Sequence, residues 1–144
     1  MPAPETFCDV LELLNRENAR YVVVSGFAVV MHGHKREILD LDLVIDPSPR
    51  EAQRCMHALA LAGFTPSVPL PLEMVTVLRL FDGLSREVNV FVRYHIPFEE
   101  LWSKSESVRV GNQVARIAAL EHVVKVKQIQ SRPHDLADIE ALRA

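Results

Sequence analysis

The sequence predicts an α+β fold: a two-layer (α/β) arrangement in which a mixed sheet packs against helices and ends in C-terminal helices. Three observations predict it. Apolar runs of strand character alternate with segments of helical periodicity along the chain. Asp82-Gly83 stands between two such runs, a hairpin signal. The 144 residues, 49% apolar and 24% charged, suffice for one ordinary core. A single domain over residues 1–144 is expected, with a core over about 20–117 and closing helices over about 118–143.

Thr6 to Asn18 reads as a first helix. Phe7, Val10, Leu11, Leu13 and Leu14 form its apolar stripe, and Thr6 is placed to cap it. Tyr21 to Val24 is a short β-branched run, a buried strand. Ser25-Gly26 interrupts it, and Phe27 to His32 suits a short helix stopped by Gly33. Leu39 to Asp46 alternates strictly. Leu39, Leu41, Leu43 and Ile45 share one strand face; Asp40, Asp42, Val44 and Asp46 share the other.

Pro47 ends that strand. Ser48 or Pro49 opens a helix through Leu61, which Gly63 stops. Thr65 to Leu72 holds three prolines and reads as a loop with a candidate function. Met74–Phe81 and Arg86–Arg93 form the hairpin around Asp82-Gly83. Ser107 to Ile117 forms a second, turning near Gly111-Asn112. Ala119 to Gln130 is a helix, broken by Ser131-Arg132-Pro133 and resumed to Leu142.

Composition excludes several classes. With 16 basic and 19 acidic residues the net charge is −3, so no broadly basic surface grips nucleic acid, although a local basic pocket is compatible. Cys8 and Cys55 make no disulfide framework and suit a reducing compartment. No apolar run approaches the roughly 18 residues of a membrane span. Met1 to Glu5 lacks the basic-then-apolar pattern of a secretory signal, so a cytoplasmic protein is expected.

Asp40-Leu41-Asp42 is the first chemical constellation. On a strand its carboxylates lie on one side, roughly 6.5 to 7 Å apart along the backbone. Two like charges so placed are stable when a cation or several donors neutralise them. Two divalent ions about 4 Å apart would do so and would clamp a phosphate in displacement. The solvated outer face of an edge strand would show the same residues. Ser25-Gly26, between a strand and a helix, offers backbone N–H groups to a phosphate, or is simply a tight turn. Arg36 precedes the aspartates by four residues, and its planar fork of donors suits a triphosphate or solvent.

Other candidates are weaker in chemistry. His32 and His34 lack the carboxylate or thiolate that would complete a zinc site and read as loop residues beside the pocket. Cys55 and His57, two apart on a helix, do not face each other. Trp102 with Phe98 and Leu101 reads as a packing cluster.

The ordered pattern is strand, Ser25-Gly26, short helix, Gly33, Arg36, then Asp40-Leu41-Asp42 on a strand. It resembles the nucleotidyltransferase superfamily of the DNA polymerase beta type. Among its small bacterial members it is most similar to aminoglycoside and lincosamide nucleotidyltransferase-like proteins and to AbiEii-like toxin and antitoxin nucleotidyltransferases. The segment Ala119 to Lys127 followed by Ser131-Arg132-Pro133-His134-Asp135-Leu136-Ala137-Asp138-Ile139 is similar to the same families' tail. The resemblance runs from about Tyr21 to Leu142.

The resemblance implies a transferase moving a nucleoside monophosphate from an NTP to a hydroxyl of a protein, an RNA end or a small molecule. It implies magnesium (or manganese) on Asp40 and Asp42, and phosphates held by Ser25, Gly26 and Arg36. Lys127 would face the triphosphate or close the fold. A toxin–antitoxin setting is compatible with it. The sequence departs from the family at Asn89, where a third aspartate is usual. An amide carries no charge and takes no proton near neutral pH. Loss of a general base there would remove a factor on the order of 10² to 10⁴. Glu87, two residues earlier on the same strand face, is the candidate substitute. Ile38 replaces a usual threonine. The alternative expectation is a catalytically impaired module that binds nucleotide or a partner protein. The apolar loop Val68 to Leu72 hints at a partner or homodimer surface.

Overall fold

The computed structural model describes residues 3–143. Met1 and Pro2, within the segment read above for a leader signal, lie outside the described residues. Six helices are described: α1 (Cys8–Arg16), α2 (Ser25–Met31), α3 (Pro49–Leu61), α4 (Phe98–Lys104), α5 (Leu120–Gln130) and α6 (Pro133–Arg143). Seven strands are described: β1 (Tyr21–Val24), β2 (Asp40–Ile45), β3 (Thr65–Pro66), β4 (Val77–Phe81), β5 (Glu87–Phe91), β6 (Glu106–Val110) and β7 (Gln113–Ile117). They form one mixed sheet in the order β3-β4-β5-β2-β1-β7-β6. The predicted α+β class is the one observed.

Alternation in β2 decides the centre of the sheet. Leu41, Leu43 and Ile45 are wholly buried, each worth roughly 1.5–3 kcal/mol against exposure. Parallel pairing sets Leu41 beside Val88 and Leu43 beside Val90, and β5 in turn pairs antiparallel with β4, bringing in Leu78 and Leu80. A continuous apolar face results, and α3, which packs on α1, lies against β2. The same pairings put Asp40 beside Glu87 and Asp42 beside Asn89 on the opposite face. Antiparallel pairing of β1 with β2 sets Val24 beside Asp42, so β1 ends next to that row.

Several local expectations are corrected. Thr6 does not cap a helix: its hydroxyl donates back to the Ala3 carbonyl, 2.7 Å, within a 3₁₀ turn over Pro4–Phe7. Leu39 stays outside β2 and is 73% exposed, because the strand pairs only from Asp40. The Pro-rich loop contributes the two-residue edge strand β3, which Pro66 can end because an edge needs no second ladder partner. Helix α4 was unforeseen; seven residues are too few for a legible period, and Pro97 precedes it. Cys55 is fully buried, and its thiol donates to the Arg20 carbonyl at 3.6 Å. Trp102 does pack, stacked on Phe98 with ring centroids 5.8 Å apart.

Candidate active site

The chain turns from β1 into α2 at Ser25, which adopts φ +60°. A left-handed conformation at a residue with a side chain is worth on the order of 1–3 kcal/mol of strain. It lets α2 fold back beside the aspartate row. The helix has only seven residues, beginning at Ser25 rather than Phe27 as expected. Gly26 follows, and a Cβ there would collide with the Arg36 guanidinium. The missing side chain is what lets Arg36 lie over this turn.

Ser25, Gly26, Arg36, Asp40, Asp42 and Lys127 thus line one cleft of about 280 Å³. The structure gathers these six of the expected site residues around one cleft, whose lining does not include Glu87 or Asn89. The solvated-edge explanation of Asp40-Leu41-Asp42 is set aside, because β2 is interior to the sheet and both aspartates are part-buried.

Asn89 is buried in the centre of this row. Its Nδ2 donates to Asp42 Oδ1 at 2.9 Å and to Asp40 Oδ2 at 3.1 Å. Its Oδ1 is buried with no hydrogen-bond partner. Burial pushes the Asp40 carboxyl up to about 6, and the charges of Asp42 and Glu87 push the same way against Arg79 and Arg36. Burial also raises Asp42, tempered by donation from Asn89 and Ser25. Glu87 does not reach the position of Asn89. It sits beside Asp40 in register, and its carboxylate takes two bonds from Arg79, 3.0 and 3.3 Å.

Lys127 is buried and does not point freely at a ligand. Its Nζ lies 3.2 Å from Asp135 and 3.1 Å from Asp138, both on α6 and both buried. Asp138 also meets Arg36 at 3.6 Å and His34 at 3.5 Å. Burial opposes the charge of Asp135, yet Arg132 and Lys127 hold its carboxyl down to about 2. The role of the two α6 aspartates escaped the sequence reading. Their spacing of three on one helix puts them on one face, a signal that was available. Tyr94 also escaped it; burial raises its phenol, and the charge of Asp42 adds to the rise. His32 is bonded to the Ala118 carbonyl at 2.7 Å, and His57 stands by Glu17 at 3.6 Å, so neither joins the site.

No protein-family model matches the sequence, and no curated protein matches it. Solved structures do match. A lincosamide antibiotic adenylyltransferase, LnuA, solved with lincomycin bound, superposes with a TM-score of 0.72 at 17% identity, covering 100% of this chain and 98% of its own. The aminoglycoside enzyme ANT(2")-Ia, in complex with adenylyl-2"-tobramycin, gives 0.66 at 10% identity, over 96% and 86%. A nucleotidyltransferase-like protein of Paracoccidioides brasiliensis gives 0.67 at 19% identity, over 96% and 74%. Among the described residues no helix is long and apolar enough to cross a membrane. With its sheet order, its paired aspartates and these neighbours, the chain has the nucleotidyltransferase fold.

Proposed function

We propose that the protein is a divalent-cation-dependent nucleotidyltransferase that moves a nucleoside monophosphate from an NTP to a hydroxyl acceptor. The carrying observation is the convergence of Asp40 and Asp42 with Ser25, Gly26 and Arg36 in one cleft. The similarity of the fold to antibiotic adenylyltransferases supports it.

The donor set fits magnesium. Asp40 and Asp42 are hard oxygen donors on one strand face, and Asn89 turns its amide nitrogen toward both. Its Nδ2 meanwhile supplies positive hydrogen character between the carboxylates. Bound magnesium would neutralise charge on the transferring phosphate. Arg36 binds phosphate oxygens by its planar fork, held over Gly26 by Asp138. Ser25 and Gly26 line the same cleft beneath it. The acceptor proton has no base at Asn89; Glu87 lies on the same face beside Asp40 but is held by Arg79, while Glu37 lines the cleft itself.

One observation favours a second reading. The Asn89 amide bridges both aspartates but carries no charge and takes no proton near neutral pH, as in a binding module that has lost turnover. A toxin–antitoxin partner would belong to that reading. Calorimetric titration of ATP, GTP, CTP and UTP, with and without magnesium, tests both. Metal-dependent binding that disappears in the Asp40→Asn, Asp42→Asn double variant supports the site, and transfer of labelled nucleotide supports turnover. No binding of any nucleotide would overturn the transferase reading.

A further inference from the structure

A second cleft, of about 250 Å³, opens on the same sheet face and is lined by Thr76, Phe91, Arg93, Tyr94 and His95. Phe91 is also a wall of the nucleotide cleft, two residues along β5 from Asn89. The two clefts therefore share Phe91 as a wall.

The chemistry of its walls is one-sided. Phe91 and Tyr94 meet edge to face at 5.4 Å, and Tyr94 meets the His95 ring at 5.3 Å, giving an aromatic wall. Arg93 forms the rim. Its guanidinium donates to the Val75 and Glu73 carbonyls, 3.2 and 3.3 Å, which fix its direction. Among the described residues no carboxylate lines this cleft; Glu73 adjoins Arg93 on the other side, where both line a neighbouring pocket, and it meets the guanidinium through its backbone carbonyl. Glu87, the nearest acid on β5, is already held by Arg79. A fixed, unneutralised guanidinium beside aromatic rings recognises an anion carried on a flat or apolar body.

We infer that this cleft takes the acceptor, and that the acceptor is a small hydroxyl compound bearing a phosphate or carboxylate, with Arg93 as the group that selects it. This assignment rests on the transferase reading for the word acceptor, while the anion preference itself rests only on the cleft.

The test uses matched pairs that differ in one anionic group: glycerol phosphate with glycerol, and para-hydroxybenzoate with para-hydroxybenzyl alcohol. Each is titrated calorimetrically into the full chain, the Arg93→Ala variant and the Asp40→Asn, Asp42→Asn variant, without nucleotide. The expected result is that at least one anion binds about tenfold or more tightly than its neutral twin. That preference should vanish in Arg93→Ala and persist in the aspartate variant. In the presence of ATP and magnesium, the hydroxyl oxygen of the anionic twin should take labelled AMP from ATP, with pyrophosphate leaving from the α-phosphorus and the hydroxyl proton passing to solvent, and Arg93→Ala should raise the twin's KM while leaving the KM for ATP unchanged. Equal binding of both twins in each pair, tighter binding of tobramycin, or a preference untouched by Arg93→Ala would overturn the proposal. Failure of the transferase reading shows separately, as absence of ATP binding with the anion preference intact. In that case the cleft remains an anion site and the acceptor role is overturned.

Discussion

Asn89 donates one amide group to Asp42 at 2.9 Å while lying directly beside it in the parallel register of β2 and β5. The same N–H₂ reaches Asp40, so one neutral side chain bridges two crowded carboxylates.

Replacing Asn89 by aspartate removes both donations and adds a third negative charge. In metal-free buffer Asn89→Asp is expected to lose on the order of 2 kcal/mol of stability. Magnesium should restore most of it, and should bind more tightly than to the natural protein. Thermal melts with and without magnesium decide this. Equal melting of variant and natural protein in metal-free buffer would remove the bridging role.

Asp40 gives a pH-dependent counterpart. Its carboxyl is raised from an ordinary 3.8 to about 6 in the fold. The ionised form therefore weighs against the folded state: the penalty is absent below about 3.8 and complete above about 6. Asp40→Asn, measured without metal, should raise Tm at pH 8. The gain should shrink to nothing as pH falls from 6 toward 4. A gain independent of pH would show that the penalty is not electrostatic.

Asp135 has the opposite sign. Its carboxyl is held down to about 2, so its ionised form stabilises the fold above 3.8, and this is lost as pH falls through 2. Asp135→Asn should cost about 2 kcal/mol at pH 7. Urea unfolding of variant and natural protein should converge toward pH 2.

Gly26→Ala tests the approach of Arg36. The new Cβ meets the tip of a flexible side chain, so the chain should stay folded with stability changed by less than about 1 kcal/mol. Nucleotide affinity should fall about tenfold as Arg36 is displaced. Arg36→Ala should weaken binding similarly, and the double variant should be no worse than the singles, because both act through one contact. Additive losses would separate the two residues.

Much of this site was legible before any coordinates. Strict alternation in β2 placed Asp40 and Asp42 together, because strand geometry admits no other arrangement of that pattern. The partnership of Asn89 with both was not legible, since it depends on which strand pairs with β2 and in what register. The burial of Lys127 was hidden for a related reason. Its partners sit on α6, beyond a left-handed turn at Ser131, φ +51°, whose direction no periodicity encodes. Arg93 and Tyr94 lie in the irregular stretch after β5, where no pattern marks a wall of a cleft.

The tie between Asp138 on α6 and the His34–Arg36 segment carries a consequence for birth of the molecule on the ribosome. Synthesis runs from N to C, and earlier segments fold first. The aspartate row on β2 and β5 precedes α6 in the chain and leaves the exit tunnel before it. Arg36 then lacks its anchor, and Lys127 has no counter-charge to let it enter the core. Until α6 emerges, the nascent chain therefore lacks the carboxylates that tie Arg36 and Lys127 in the finished fold.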